Sequence, residues 1–232
     1  MSRAEELAAN LAAVRTRITD AETAAGRPAG GVQLVVVTKY FPASDVRILA
    51  DLGVTAVGEN RHQEAQAKAA ECADLGLDWH FIGSIQSNKA AAIAAYASTV
   101  ESVDRVKLVG ALDRGAQQAG REVGCLVQVS LDPPGASGRG GADASAVAAV
   151  ADAIAASSAL RLRGVMAVAP LGEPPAPAFE RLAAISAELR RDHPGATVVS
   201  AGMSGDLEHA VKYGATHVRI GSSVLGSRPS IH

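Results

Sequence analysis

Aromatic residues make up only 3% of this 232-residue chain, and cysteine occurs twice, at Cys72 and Cys125. Two distant cysteines, in no CxxC pair and no Cys/His cluster, exclude a disulfide scaffold and a thiolate metal site. They read as reduced thiols of a cytoplasmic protein. No His/Asp/Glu set has metal-ligand spacing, so no metal is expected. An excess of one charge is also missing: 22 basic and 24 acidic residues leave a formal net charge of −2. That balance argues against a nucleic-acid binder and gives no attraction to an anionic membrane surface. No apolar run approaches the roughly 20 residues of a membrane span. The charged, amphipathic opening MSRAEELAANLAAVRTRITD lacks the apolar core of a secretory signal.

What is present is alternation. Leu7, Leu11, Val14 and Ile18 form one helical stripe ahead of the first strand, VQLVVVTKY, from Val32 to Tyr40. A continuous β-branched run of that kind belongs to a strand covered on both faces. Further apolar runs begin near Val54, Trp79, Thr99, Cys125, Leu162, Val198 and His217, with helical stretches between them. Val147, Val150 and Ile154 mark one such helix; Phe179, Leu182, Ile185 and Leu189 mark another. Gly53, Gly76, Gly120 and Gly214 stand where helices hand over to strands. Eight strands in βα alternation predict an α/β fold, a single (β/α)8 TIM-like barrel spanning residues 1–232 with an extra N-terminal helix within residues 1–30. The runner-up, a doubly wound open sheet, lacks the G-x-G-x-x-G fingerprint after its first strand. Two Gly/Pro-rich loops, from Asp132 to Gly141 and from Leu171 to Pro177, follow strands and so fall on the face where barrel sites lie.

Lys39 closes the first strand. A desolvated lysine there frees its amine for a Schiff base, although a surface lysine just past the strand is the plainer account of this segment alone. Arg219 shifts the balance. In HVRIG, Val218 and Ile220 alternate with His217 and Arg219, so an aliphatic face toward the helices turns Arg219 into the barrel. The first and last strands of a closed barrel are neighbours, so Lys39 and Arg219 share a pocket. Two cations together call for an anion, and a phosphorylated ligand supplies one. Its seat is the pair of loops after the seventh and eighth strands, Gly202-Met203-Ser204-Gly205-Asp206 and Gly221-Ser222-Ser223. Helix N-capping is the alternative account of Ser204 and Asp206, and the sole one adopted for Asp206. Asn60 is a candidate for a ligand ring edge. His80 reads as a hydrogen-bonded strand histidine and His62 as a solvent-facing one.

The strings VVVTK, GENRHQE, WHFIGSIQSNK, ESVDR, RGVMAVAP and SAGMSGDLEHAVKYGATHVRIGSSVLG run in order from about Leu34 to Gly226. Together they resemble the pyridoxal phosphate homeostasis protein family, single-domain relatives of the alanine racemase barrel. The resemblance implies that Lys39 holds pyridoxal 5′-phosphate (PLP) as a Schiff base, that Ser204, Gly221 and Ser222 contact its phosphate with Met203 beside them, that Arg219 faces the pyridine nitrogen, and that Asn60 lies near the ring. Ser84, Ala201, Gly205 and the Tyr40-Phe41 turn depart from the family pattern without removing any of these contacts. An intracellular carrier or buffer of PLP is implied, passing cofactor to apo PLP-dependent enzymes. No catalytic residue is assigned.

An arginine at the pyridine nitrogen accepts no proton and so weakens the electron sink. Racemisation also needs a second acid/base opposite the lysine. The related racemases take a tyrosine from another domain, and the end at His232 leaves no room for one. Tyr96 and Tyr213 read as helical and remote, and Tyr40 as pointing away. Little or no catalysis is therefore expected, with a monomer as the simplest assembly. The alternatives are a weak PLP-dependent amino-acid racemase and a cofactor-free Schiff-base aldolase.

Overall fold

The computed structural model describes residues 1–132 and 140–227. Most of the loop 132–141 named above therefore lies outside the described residues. The chain begins with helix α1 (Arg3–Ala24), opened by a capping box in which Ser2 and Glu5 satisfy each other's backbone N–H. Strands β1 (Gln33–Val37), β2 (Ala56–Glu59), β3 (Asp78–Phe81), β4 (Thr99–Val103), β5 (Val123–Gln128), β6 (Leu160–Met166), β7 (Val198–Ser200) and β8 (His217–Ile220) follow. Helices α2 (Ala43–Asp51), α3 (His62–Glu71), α4 (Ala90–Ala94), α5 (Val106–Gln118), α6 (Val147–Ala155), α7 (Pro175–Asp192) and α8 (Leu207–Lys212) separate them, and α9 (Ser222–Leu225) follows β8.

The strands close into one parallel barrel in sequence order, β1 pairing with both β2 and β8. Closure excludes the open doubly wound sheet. Gly53, Gly76, Gly120 and Gly214 all have positive φ, as helix-ending residues adopt. The stripe of Leu7, Leu11, Val14 and Ile18 is buried. Ion pairs of Arg3 with Asp45 and Arg17 with Glu208, both 2.7 Å, tie α1 to α2 and α8.

Several boundaries differ from expectation; β5 and β6, for example, each begin two residues early, at Val123 and Leu160. Strand β1 stops at Val37, so Lys39 stands in a turn rather than in the strand. Strand β2 starts at Ala56, two residues after Val54. The loop expected as far as Pro177 gives way at Pro175 to α7, because proline suits the first helical turn.

Aliphatic side chains fill the layer between strands and helices, whereas the barrel interior carries polar groups. Glu101, Ser200, His80 and Arg219 are buried there, beside aliphatic residues of the kind usual in such barrels, such as Val35, which pairs in register with Arg219.

Candidate functional site

Two adjoining cavities open beside the Thr38-Lys39-Tyr40 turn. One, of about 340 Å³, is lined by Lys39, Tyr40, Ser204, Gly221 and Ser222 among others. The second, about 470 Å³, reaches Asn60, Gln128, Ser130, Asp132 and Gly140. Lys39, Ile82, Met203 and Arg219 line both, so the two form lobes of one mouth. Each falls within the range of small-molecule sites, about 300–1,000 Å³. Asp132 and Gly140 thus do rim the mouth, as expected of their loop.

The turn is tightly held. Tyr40 has φ +71°, a left-handed conformation that a bulky side chain adopts only when its surroundings impose it. Its N–H donates to Glu64 Oε1 at 2.6 Å. The Thr38 carbonyl accepts from Lys68 Nζ at 2.8 Å, and Thr38 Oγ1 donates to Glu59 Oε1 at 2.7 Å. Lys68 Nζ also reaches Glu59 Oε1 and Glu64 Oε1, both at 2.7 Å. Burial pushes the Glu59 carboxyl above its ordinary range against the pull of Lys68. Tyr40 does not point away, as expected from sequence. Its ring lines the first lobe, 5.9 Å from Lys39 Nζ and 5.1 Å from Arg61 Cζ.

Arg219 faces the interior as its strand alternation requires, with Val218 and Ile220 packed outward. Its guanidinium donates to Ser200 Oγ at 2.7 Å and to the Ala167 carbonyl at 2.8 Å. Glu101 Oε2 lies 3.7 Å away. Glu101 in turn accepts from Ser200 Oγ at 2.6 Å, and its other oxygen meets His80 Nδ1 at 2.6 Å. Burial alone would raise the Glu101 carboxyl, but His80, Arg219 and Ser200 outweigh it and hold the group well below the usual carboxylate range. The anion that the pairing of Lys39 with Arg219 calls for is thus partly supplied by the protein. Sequence reasoning missed Glu101, although an acid at an inward position of TVESV was the available signal.

The two glycine-serine loops meet at the mouth. Ser204 Oγ and Ser222 Oγ are 3.4 Å apart. Ser222 and Ser223 open α9, where helix geometry leaves their N–H groups without an intrahelical acceptor. Gly221 is bare for a steric reason, since a Cβ there would approach the Val37 carbonyl to 3.2 Å. Asp206 occupies the N-cap position of α8 but its side chain bonds no helix N–H; its Oδ1 accepts from Met203 N at 2.6 Å and folds the loop itself. That corrects the capping role expected of it. Ser204, too, faces the cavity instead of capping.

Asn60 directly follows β2 on the second lobe, and its Oδ1 is buried without a hydrogen-bond partner. Such an orphaned acceptor beside a cavity fits a polar ligand or an ordered water. Gly83 packs on it so closely that a Cβ would fall 2.1 Å from the Asn60 carbonyl oxygen. His62, expected toward solvent, instead stacks on Tyr96 with ring centroids 5.9 Å apart. Among the described residues, no group of three or more His, Cys, Asp or Glu could hold a metal ion, and no helix is long and apolar enough to cross a membrane.

Residues 7–229 match the family described as alanine racemase, N-terminal domain. The chain is 46% identical to the pyridoxal phosphate homeostasis protein of Mycobacterium tuberculosis, covering 97% of this chain and 94% of that protein. It is 33% identical to the protein of that name in Escherichia coli K12, covering 96% and 97%. Among solved structures, PipY of Synechococcus elongatus PCC7942 with PLP bound superposes with a TM-score of 0.82 at 34% identity, over 95% of this chain and all (100%) of that one. The alanine racemase of Corynebacterium glutamicum shares the fold at 16% identity, with a TM-score of 0.69 over 99% of this chain and 63% of that one.

Proposed function

The chain belongs to the pyridoxal phosphate homeostasis protein family, built on the alanine racemase N-terminal fold, and from that membership we propose that it binds PLP on Lys39 as an intracellular carrier. The observation that carries this reading is the arrangement of the first lobe, where one lysine, two serines and a bare glycine line a single cavity above a buried arginine. Lys39 would hold PLP covalently through its side-chain amine, the aldehyde of the cofactor supplying the electrophile. Ser204, Ser222 and the backbone at Gly221 hold the phosphate, with Met203 against it. Asn60 accepts a hydrogen bond from the ring substituents or a bridging water. The barrel acts as a single domain and a monomer, in the cytoplasm, and releases PLP to apo-enzymes.

Bound PLP supplies an electron-withdrawing ring, and the group at its pyridine nitrogen tunes that power. Arg219 is already committed to Glu101, Ser200 and Ala167 and stays cationic, so it offers that nitrogen no proton relay. Little or no turnover follows. A weak amino-acid racemase remains the second reading, favoured by one feature: Tyr40 lines the same lobe as Lys39.

The test is reduction with borohydride after PLP incubation, followed by peptide mapping. A pyridoxyl mass on the peptide holding Lys39 is expected; its absence, or its presence elsewhere, overturns the reading. Sustained inversion of an amino acid beyond one turnover per protein would favour the racemase.

A further inference from the structure

The ion cluster beneath Lys39 lines neither cavity, yet it holds the peptide units on both sides of that lysine. An ammonium has three donors, and Lys68 directs them to the Thr38 carbonyl, Glu59 and Glu64. The same Glu64 oxygen accepts the N–H of Tyr40, the residue after Lys39. Thr38, the residue before it, is fixed a second time through its hydroxyl on Glu59. A buried ion cluster is a weak source of stability, since well-packed apolar side chains do as well or better. Its geometric effect is specific: one ammonium and one carboxylate oxygen fix the entry and exit of a three-residue turn, including its left-handed member.

We propose that Lys68 and Glu64 are positioning residues for Lys39, setting the direction in which its Nζ enters the cavity. The proposal rests on the reading of Lys39 as the attachment point for PLP. Neither residue lines either cavity. Each acts by keeping the Lys39 backbone from relaxing into a turn that would swing the amine toward solvent.

Glu64→Ala, Lys68→Met and the conservative Lys68→Arg test this, with circular dichroism verifying the fold of each. Three quantities are measured: the rate at which the absorbance of the Lys39 adduct appears, the pH midpoint of that absorbance, and the affinity for pyridoxine 5′-phosphate, which has the phosphate and ring but no aldehyde. Misplacement of a reacting group by about 1 Å costs up to roughly a hundredfold in rate. Glu64→Ala and Lys68→Met are therefore expected to slow attachment by roughly ten- to a hundredfold and to displace the midpoint, with affinity for pyridoxine 5′-phosphate unchanged. Lys68→Arg recovers part of the rate. Attachment at the wild-type rate and midpoint in folded Glu64→Ala overturns the proposal, and so does a parallel loss of pyridoxine 5′-phosphate affinity. Should Lys68→Met fail to fold, Glu64, the less buried of the two, decides alone. A wild-type protein that carries no pyridoxyl group on Lys39 defeats the parent reading instead, and that result is separately visible.

Discussion

Arg219 on β8 reaches across the barrel to Glu101 on β4, with 3.7 Å between Nη1 and Oε2 and Ser200 bonded to both. Both ions are enclosed, so neither can turn to water if its partner is lost. Removing one member of such a pair typically costs about 3–5 kcal/mol. Glu101→Gln is expected to lose roughly 3 kcal/mol in urea denaturation. The double variant Glu101→Leu with Arg219→Met should be more stable than Glu101→Leu alone. Equal or lower stability of the double variant would show that the two charges are not coupled.

Tyr40 offers a test of backbone conformation. A non-glycine residue with left-handed φ carries about 1–2 kcal/mol of strain, and a β-branched side chain tolerates it least. Tyr40→Gly removes that strain but loses the contacts of the ring with Lys39 and Arg61 and adds freedom to the unfolded chain. Its stability should stay within about 1 kcal/mol of the parent. Tyr40→Val should fall at least about 1 kcal/mol below Tyr40→Gly in the same denaturation series.

His217 gives stability a pH slope. Burial, with the neighbouring His80, Arg163 and Arg219 charges, depresses its pKa to about 4 against the pull of Glu101. The unfolded chain, titrating near 6.5, binds the proton first on acidification. Stability is therefore full above about pH 6.5 and declines toward pH 4, by at most about 3.5 kcal/mol at roughly 1.4 kcal/mol per unit. Acid titration of the unfolding free energy should show this slope, and His217→Gln should flatten it. An unchanged slope in that variant assigns the acid sensitivity to other groups.

Two glycines at the mouth predict opposite outcomes. An alanine at Gly83 would press its Cβ to 2.1 Å from the Asn60 carbonyl, a clash with backbone that cannot yield cheaply. Gly83→Ala should lose roughly 1–3 kcal/mol of thermal stability. At Gly221 the nearest atom is the Val37 carbonyl oxygen at 3.2 Å, a tight contact that a shift of a few tenths of an ångström relieves, so Gly221→Ala should lose less stability than Gly83→Ala while binding PLP more weakly. Normal PLP affinity in Gly221→Ala would place the phosphate elsewhere.

The barrel was legible because buried parallel strands read as β-branched runs, and because Gly53, Gly76, Gly120 and Gly214 punctuate them at left-handed positions. The end of β1 was not legible. Thr38 is as buried as the strand before it, and a tyrosine rather than a glycine makes the left-handed turn. Lys39, Arg219 and the serine loops emerged from strand ends and alternation. Glu101 was passed over because its partners come from β3, β7 and β8, far away in sequence. Lys68 and Glu64 were missed for another reason. Four residues apart on a helix, they match the pattern of a solvated surface pair, and only the packing of α3 under the Lys39 turn makes them interior.

The polar bracing around Glu101 also bears on how the barrel can be divided. A cut between β4 and β5 leaves the carboxylate and His80 in one fragment, and the guanidinium and Ser200 in the other. Each fragment would carry an interior group whose complement lies on the missing piece. The barrel is thus poorly suited to arise from two self-sufficient half-barrel modules. Separately expressed fragments should stay unfolded until mixed, when opposite charges and the open strand edges at β1/β8 and β4/β5 reunite them.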